Sequence, residues 1–242
     1  MANVEIFIYD EYRHMFKDKR AWTLITGFPG FGYVGTIATK YMVEKLKAIK
    51  VGDIITKYMP DFIALEDYGL MTPYEIFAHE AKSLIIVVNN ALPQPPERVL
   101  FAKKLVEWFI KIGGRRAILA GGLNSRFKEG NEEFRWLCCG ECEWSFKEPK
   151  LSKGLYIIGP LAVLFTILKL RNVPTLVLLP YTQPSKYDPR AAAVFVSKVS
   201  KVLGLNISID DLLKYSKMIE ETEEAIREAM RASEERGPKP YM

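Results

Sequence analysis

Four glycines within nine residues, Gly27, Gly30, Gly32 and Gly35, constrain this chain more than any other feature. Residues 22–26, Trp-Thr-Leu-Ile-Thr, are β-branched and aromatic, the composition of a strand. After the glycines, Val34, Ile37, Ala38, Tyr41, Met42 and Leu46 recur at helical spacing and mark one buried face. The segment reads as strand, sharp turn, helix. Glycine lets such a turn reverse and lets backbone approach backbone.

Gly30-x-Gly32-x-x-Gly35 also matches the dinucleotide fingerprint, in which free N–H groups and a helix N-terminus face an anion. Asp53 and Asp61 are available as ribose carboxylates. Two features depart from that motif. Gly27-Phe28-Pro29 separates the strand from the first matching glycine, and Phe28, Phe31 and Tyr33 crowd the loop with rings. Two readings stay open. One is a nucleotide-binding enzyme, an oxidoreductase or phosphorylase-like, using Gly27–Gly35. The other is a structural or oligomer-forming loop made of Gly27, Phe28, Pro29, Gly30, Phe31, Gly32, Tyr33 and Gly35. The second predicts that Gly30→Val damages folding or assembly rather than cofactor affinity.

Further strands are expected at residues 4–9, 51–59, 74–79, 84–89, 116–120, 154–158 and 174–179, with 62–65 a short strand or a continuation of 51–59. Helices are expected at 97–112, 160–170 and 188–203. Asp188-Pro189 suits a helix start, with aspartate capping and proline in the first turn. The 160–170 helix is apolar almost all round and reads as buried. Residues 10–20 read as a surface connection. Residues 123–153 break the rhythm and read as an insertion over one end of the sheet. Strands alternating with helices imply an α/β fold with a mostly parallel sheet covered on both faces. A ligand would then sit at the carboxyl ends of the strands, near residues 27–35, 89–96, 121–126 and 181–187.

The chain divides into an α/β core at 1–207, a C-terminal amphipathic helix at 208–236 and a short flexible tail at 237–242. The helix carries Leu212, Tyr215, Ile219, Thr222 and Ile226 at spacings of three and four. It suits packing on its own domain or on copies of itself.

Other chemistry is sparse. Metalloprotease, nucleophile-elbow and P-loop motifs are absent from the sequence. Glu66 and Asp67 read as a solvated edge or an acid/base pair, His79 as a structural histidine before a base, and Asn124, Ser125 and Arg126 as an anion-holding group or an ordinary turn. Cys138, Cys139 and Cys142 lack a fourth ligand nearby, since His14 and His79 are distant, so no metal is expected. Reduced thiols are the default expectation for a cytosolic chain, although cytosolic disulfides occur in hyperthermophiles. No cofactor and no catalytic residue is assigned. The net charge is +5, while residues 219–236 hold seven acids and three arginines. No long basic run accompanies that charge, so no nucleic-acid partner is expected. No apolar run is long enough for a bilayer, and the first residues do not form a signal peptide. A cytoplasmic chain without a membrane partner is expected.

The residues Gly27-Phe-Pro-Gly-Phe-Gly-Tyr-Val-Gly-Thr-Ile-Ala, the Ala120-Gly-Gly turn and Tyr187-Asp-Pro-Arg-Ala-Ala-Ala together resemble the archaeal proteasome assembly chaperone family. The resemblance covers roughly residues 20–215. It implies a phosphorylase/hydrolase-like fold, no established catalysis, and binding to the 20S proteasome α-ring. It also implies self-association into a homo-oligomer, with a hetero-oligomer with a paralogue as the variant. Some proteasome partners end in a hydrophobic residue, tyrosine, then any residue. Pro240, Tyr241 and Met242 are similar to that ending, and on this resemblance they are the partner-binding residues.

Overall fold

The computed structural model describes residues 3–18 and 20–235. Its strands are β1 (Val4–Ile8), β2 (Trp22–Gly27), β3 (Ile49–Thr56), β4 (Ala64–Glu66), β5 (Gly69–Met71), β6 (Tyr74–His79), β7 (Leu84–Asn89), β8 (Gly114–Ala120), β9 (Leu123–Asn124), β10 (Phe134–Cys139) and β11 (Thr175–Thr182). Its helices are α1 (Val34–Leu46), α2 (Arg98–Lys111), α3 (Pro160–Leu170), α4 (Pro189–Val202) and α5 (Asp210–Glu235).

The large sheet runs β1-β3-β6-β7-β2-β8-β11-β10, with β9 beside β11. β4 and β5 form a separate hairpin. The expectation of a mostly parallel sheet holds only for its centre. β7, β2, β8 and β11 are parallel neighbours. β1, β3, β6 and β7 are antiparallel, and β10 is antiparallel to β11. The reason lies in the connections. Residues 80–83 close β6 onto β7 as a short turn, which only an antiparallel pair permits, whereas a parallel pair needs a long crossover.

The central strands β7, β2, β8 and β11 carry long apolar runs because both of their faces are covered, with Arg115 and Arg116 confined to the start of β8. On one face, Leu24, Val87 and Val177 meet Phe101, Leu105 and Phe109 of α2 and Leu164 and Leu168 of α3. On the other, Ile25, Ile86, Ile118 and Leu178 meet Ile37 and Met42 of α1 and Phe195, Val196 and Val199 of α4. Leu212 of α5 closes that second layer.

Several expectations change. α3 is not buried all round: Leu161, Leu164 and Leu168 face inward, while Leu170 is 70% exposed. A helix lying on a sheet buries one stripe whatever the composition of the rest. Residues 154–158 form no strand; Leu155 and Ile157 pack on the core, while Tyr156 and Ile158 stand out to solvent. Residues 10–16 are a 3₁₀ helix that buries Met15, not a plain surface connection. Residues 123–153 contribute β9 and β10 to the sheet itself. The cysteines are not all reduced: Cys138 and Cys142 are joined, and Cys139 is free. Among the described residues, no helix is long and apolar enough to cross a membrane.

Candidate functional site

The glycine loop lies at the carboxyl end of β2, where the strand must turn into α1. Gly27 and Gly35 make the close approach possible. A Cβ on Gly35 would stand 2.5 Å from the Phe28 nitrogen, and one on Gly27 would stand 2.5 Å from the Gly35 Cα. The first turn of α1 therefore rests directly on the end of β2. Asn89, buried at the end of β7, fastens the turn by donating from Nδ2 to the Gly27 carbonyl at 2.7 Å. Thr36 Oγ1 donates to the Asn89 carbonyl at 2.8 Å.

Gly32 decides what the loop faces. It takes a positive φ of 65°, and a Cβ there would lie 2.2 Å from Thr182 Oγ1. In a dinucleotide site the middle glycine is open so that pyrophosphate can approach the backbone. Here a protein side chain takes that space. Thr182 Oγ1 donates to Asp188 Oδ2 at 2.7 Å, and Asp188 Oδ1 accepts from the Ala191 N–H at 2.9 Å. The Asp188 N–H donates to the Gly32 carbonyl at 3.0 Å. A Cβ on Gly122 would stand 2.3 Å from the Phe31 carbonyl oxygen. The glycine loop, the Gly121-Gly122 turn and the Asp188-Pro189 helix start are thus one interlocked knot.

The rings of the loop divide between core and surface. Phe28 is buried edge-on against Phe101, with centroids 6.2 Å apart. Tyr33 holds a left-handed backbone, uncommon for a side chain of this size, and its ring points outward. It meets Tyr187 at 6.1 Å, and Tyr187 meets Tyr215 of α5 at 6.2 Å. Partial burial, then the neighbouring Tyr215, raises the Tyr187 phenol above its ordinary range. This partly exposed ladder of three tyrosines links the loop to the C-terminal helix.

A cavity of about 480 Å³ opens beside the loop, between residues 28–31, 120–123 and 154–161. Its walls are largely apolar, and among the described residues Arg98 is its one charged lining side chain. Arg98 Nε already donates to the Pro93 carbonyl at 2.9 Å. Such a cavity suits an apolar group rather than a polyphosphate.

The remaining sequence candidates lie elsewhere. Asp53 is on β3, three strands from β2, and accepts from Tyr9 and Thr72 while pairing with Lys50 at 3.1 Å. Asp61 is exposed in the segment leading to the hairpin. Glu66 pairs with Lys40 at 3.2 Å, and Asp67 turns the hairpin. His79 accepts from the Lys82 N–H, and Asn124 accepts from the Arg126 N–H, so both shape local turns. Among the described residues, no group of three His, Cys, Asp or Glu side chains is placed to hold a metal ion. Pro240, Tyr241 and Met242 lie outside the described residues.

Sequence reasoning missed Thr182 and Asn89, whose roles depend on partners far along the chain. It also missed Glu75, fully buried on β6. Glu75 pairs with Lys50 at 2.9 Å and accepts from Tyr68 OH and Asn90 Nδ2. Burial, then the Glu75 charge, holds the Tyr68 phenol above its ordinary range. No local signal marks that site except a lone acid inside an apolar strand.

The fold and the knot define a mixed α/β domain in which the glycine motif serves packing. The sequence profile of the PAC2 family matches residues 24–227, so the chain belongs to the PAC2 family. An uncharacterized protein of Methanocaldococcus jannaschii is 25% identical over 227 residues, 89% of this chain and 88% of that protein. The crystal structure of Pyrococcus furiosus PbaA, described as an archaeal homolog of proteasome-assembly chaperone, is similar with a TM-score of 0.79. Its identity is 25%, over 96% of this chain and 95% of that chain. Pyrococcus furiosus PbaB, described as an archaeal proteasome activator, shares the fold with a TM-score of 0.71 at 24% identity. That match covers 94% of this chain and 98% of PbaB.

Proposed function

We propose that this chain is a non-enzymatic, oligomeric proteasome-binding factor of the assembly-chaperone type, working in the cytoplasm. The observation that carries the reading is the PAC2 match along nearly the whole core, together with the end-to-end similarity to PbaA. The phosphorylase/hydrolase-like name and the division into core, helix and tail belong to the same reading. The filled space at Gly32 and the apolar cavity speak for a scaffold rather than a nucleotide enzyme. The Tyr33–Tyr187–Tyr215 ladder and the apolar stripe of α5 supply surfaces for self-association.

The C-terminal Pro240-Tyr241-Met242 docks on the α-ring of the 20S particle. Its tyrosine ring brings apolar area and one hydroxyl to a partner pocket. Several tails on one oligomer raise avidity when their spacing fits the ring.

Co-elution with purified 20S proteasome tests this, using the full chain and a chain lacking 240–242. Full-chain binding that falls on truncation supports the reading. Equal binding by both removes the tail from it. Saturable binding of ATP or NAD by calorimetry overturns the non-enzymatic part.

A further inference from the structure

We propose that Cys138 and Cys142 form a reversible oxidation site that fastens a flap, residues 140–150, over the outer edge of β10. Three cysteines within five residues allow more than one pairing, including a Cys139-x-x-Cys142 bridge. Strand alternation selects among them. Phe134, Trp136 and Cys138 face the α4 layer, where Cys142 also packs. Arg135 faces the other way and donates to Tyr181 OH at 2.7 Å, and Cys139 shares its side of the strand. Cys138 and Cys142 are joined across a Cα separation of 6.2 Å, within the range a disulfide accepts. Cys139 sits opposite Thr175, and burial raises its thiol above the ordinary range, which keeps it a poor nucleophile.

The bridge starts the flap. Beyond Cys142, Trp144 is buried and Phe146 stands edge-on to Phe134 and Trp136, at 5.5 and 5.4 Å. Trp136 Nε1 donates to the Glu148 carbonyl at 2.7 Å, and the Leu151 N–H donates to the Trp136 carbonyl at 2.8 Å. Glu148 pairs with Lys198 of α4 at 2.8 Å. The flap therefore covers the edge of a terminal strand, which left open is a template for unwanted pairing.

Cys138, Cys139 and Cys142 are each half-buried rather than sealed in the core. In the forward step the Cys142 thiolate attacks one sulfur of a low-molecular-weight disulfide, forming a mixed disulfide and releasing one thiolate. Cys138 then attacks the Cys142 sulfur and displaces the second thiolate. The two released thiolates take up the two protons lost by the cysteines, so the reagent is reduced as the protein is oxidised.

The test uses the full chain equilibrated in oxidised or in reduced glutathione, then alkylated under denaturing conditions. Cleavage after Glu141 separates Cys142 from the fragment that holds Cys138 and Cys139, and fragmentation of the linked peptides shows which of those two carries the alkyl label. Oxidised protein should show one labelled thiol, Cys139, and one bridge. Cys139→Ser should keep the bridge, while Cys138→Ser and Cys142→Ser should lose it. Hydrogen exchange across residues 143–151 should run faster in the reduced state by on the order of tenfold, in the parent and in Cys139→Ser. Three labelled thiols after oxidation, a bridge that needs Cys139, or equal exchange in both states would overturn the proposal.

Discussion

The loop at residues 27–35 and helix α5 touch through the Tyr33, Tyr187 and Tyr215 rings, but they are held in different ways. The loop is packed through its backbone: Gly27 against the Gly35 backbone, the Phe31 carbonyl against Gly122, and Gly32 against the Thr182 side chain. α5 is held by side chains on one stripe. Leu212 and Ser216 are buried, Tyr41 OH donates to the Ser208 carbonyl, and ion pairs join Lys45 to Asp211 and Arg190 to Glu220. Its Tyr215, Met218 and Ile226 stay exposed. The comparison separates two meanings of a sequence signal. The loop matches a ligand motif yet spends its glycines on packing. The arm matches no motif yet presents an apolar stripe to its surroundings.

The largest effect is expected at the tightest contact. Gly35→Val pushes side-chain atoms into the Phe28 and Gly27 backbone, neither of which can yield. A loss of about 4 kcal/mol or more, read by denaturant unfolding, is expected. A variant as stable as the parent would show that the loop is looser than its geometry.

The next effect is on assembly. Met218→Glu combined with Ile226→Glu puts charge on the exposed stripe of α5. Light scattering should then report a smaller particle while the circular dichroism of the core persists. An unchanged oligomer moves self-association away from the arm, and a parent that is itself monomeric removes it altogether.

Tyr241→Ala should weaken 20S binding by roughly tenfold, about 1.4 kcal/mol, through lost apolar contact. Melting temperature and oligomer size should stay the same. Undiminished affinity in this variant places any proteasome contact on the folded domain.

The smallest effect sharpens the comparison inside the loop itself. From the sequence, Gly30→Val is expected to damage folding or assembly; in the structure Gly30 has a negative φ, and the nearest atom to its added Cβ is 3.9 Å away. Gly30→Ala should therefore change stability by no more than about 0.5 kcal/mol. A large loss there would mean that the glycines act together rather than through individual contacts.

Local patterning carried much of the fold. The apolar runs at β6 and β7, the strand–turn–helix of β2 and α1, and the Asp188 cap are all visible over a few residues, because period and capping are short-range properties. Residues 154–158 carry a strand-like pattern without pairing, because an alternating apolar stretch packs one side on a core whether or not it joins a sheet. β10 has no local signature because its stabilising partners, the flap, Tyr181 and Lys198, lie far along the chain from one another.

The sequence alone determined the class of fold, the family resemblance, the amphipathic arm and the composition of the tail. Each rests on residue identity and near-neighbour spacing. Tertiary structure decided that Gly32 faces Thr182, that the sheet is antiparallel toward both edges, that Glu75 finds Lys50, and that Cys142 takes Cys138 rather than Cys139. Those outcomes depend on which distant groups arrive at one place and on which face of a strand a side chain leaves, and neither is written in local spacing.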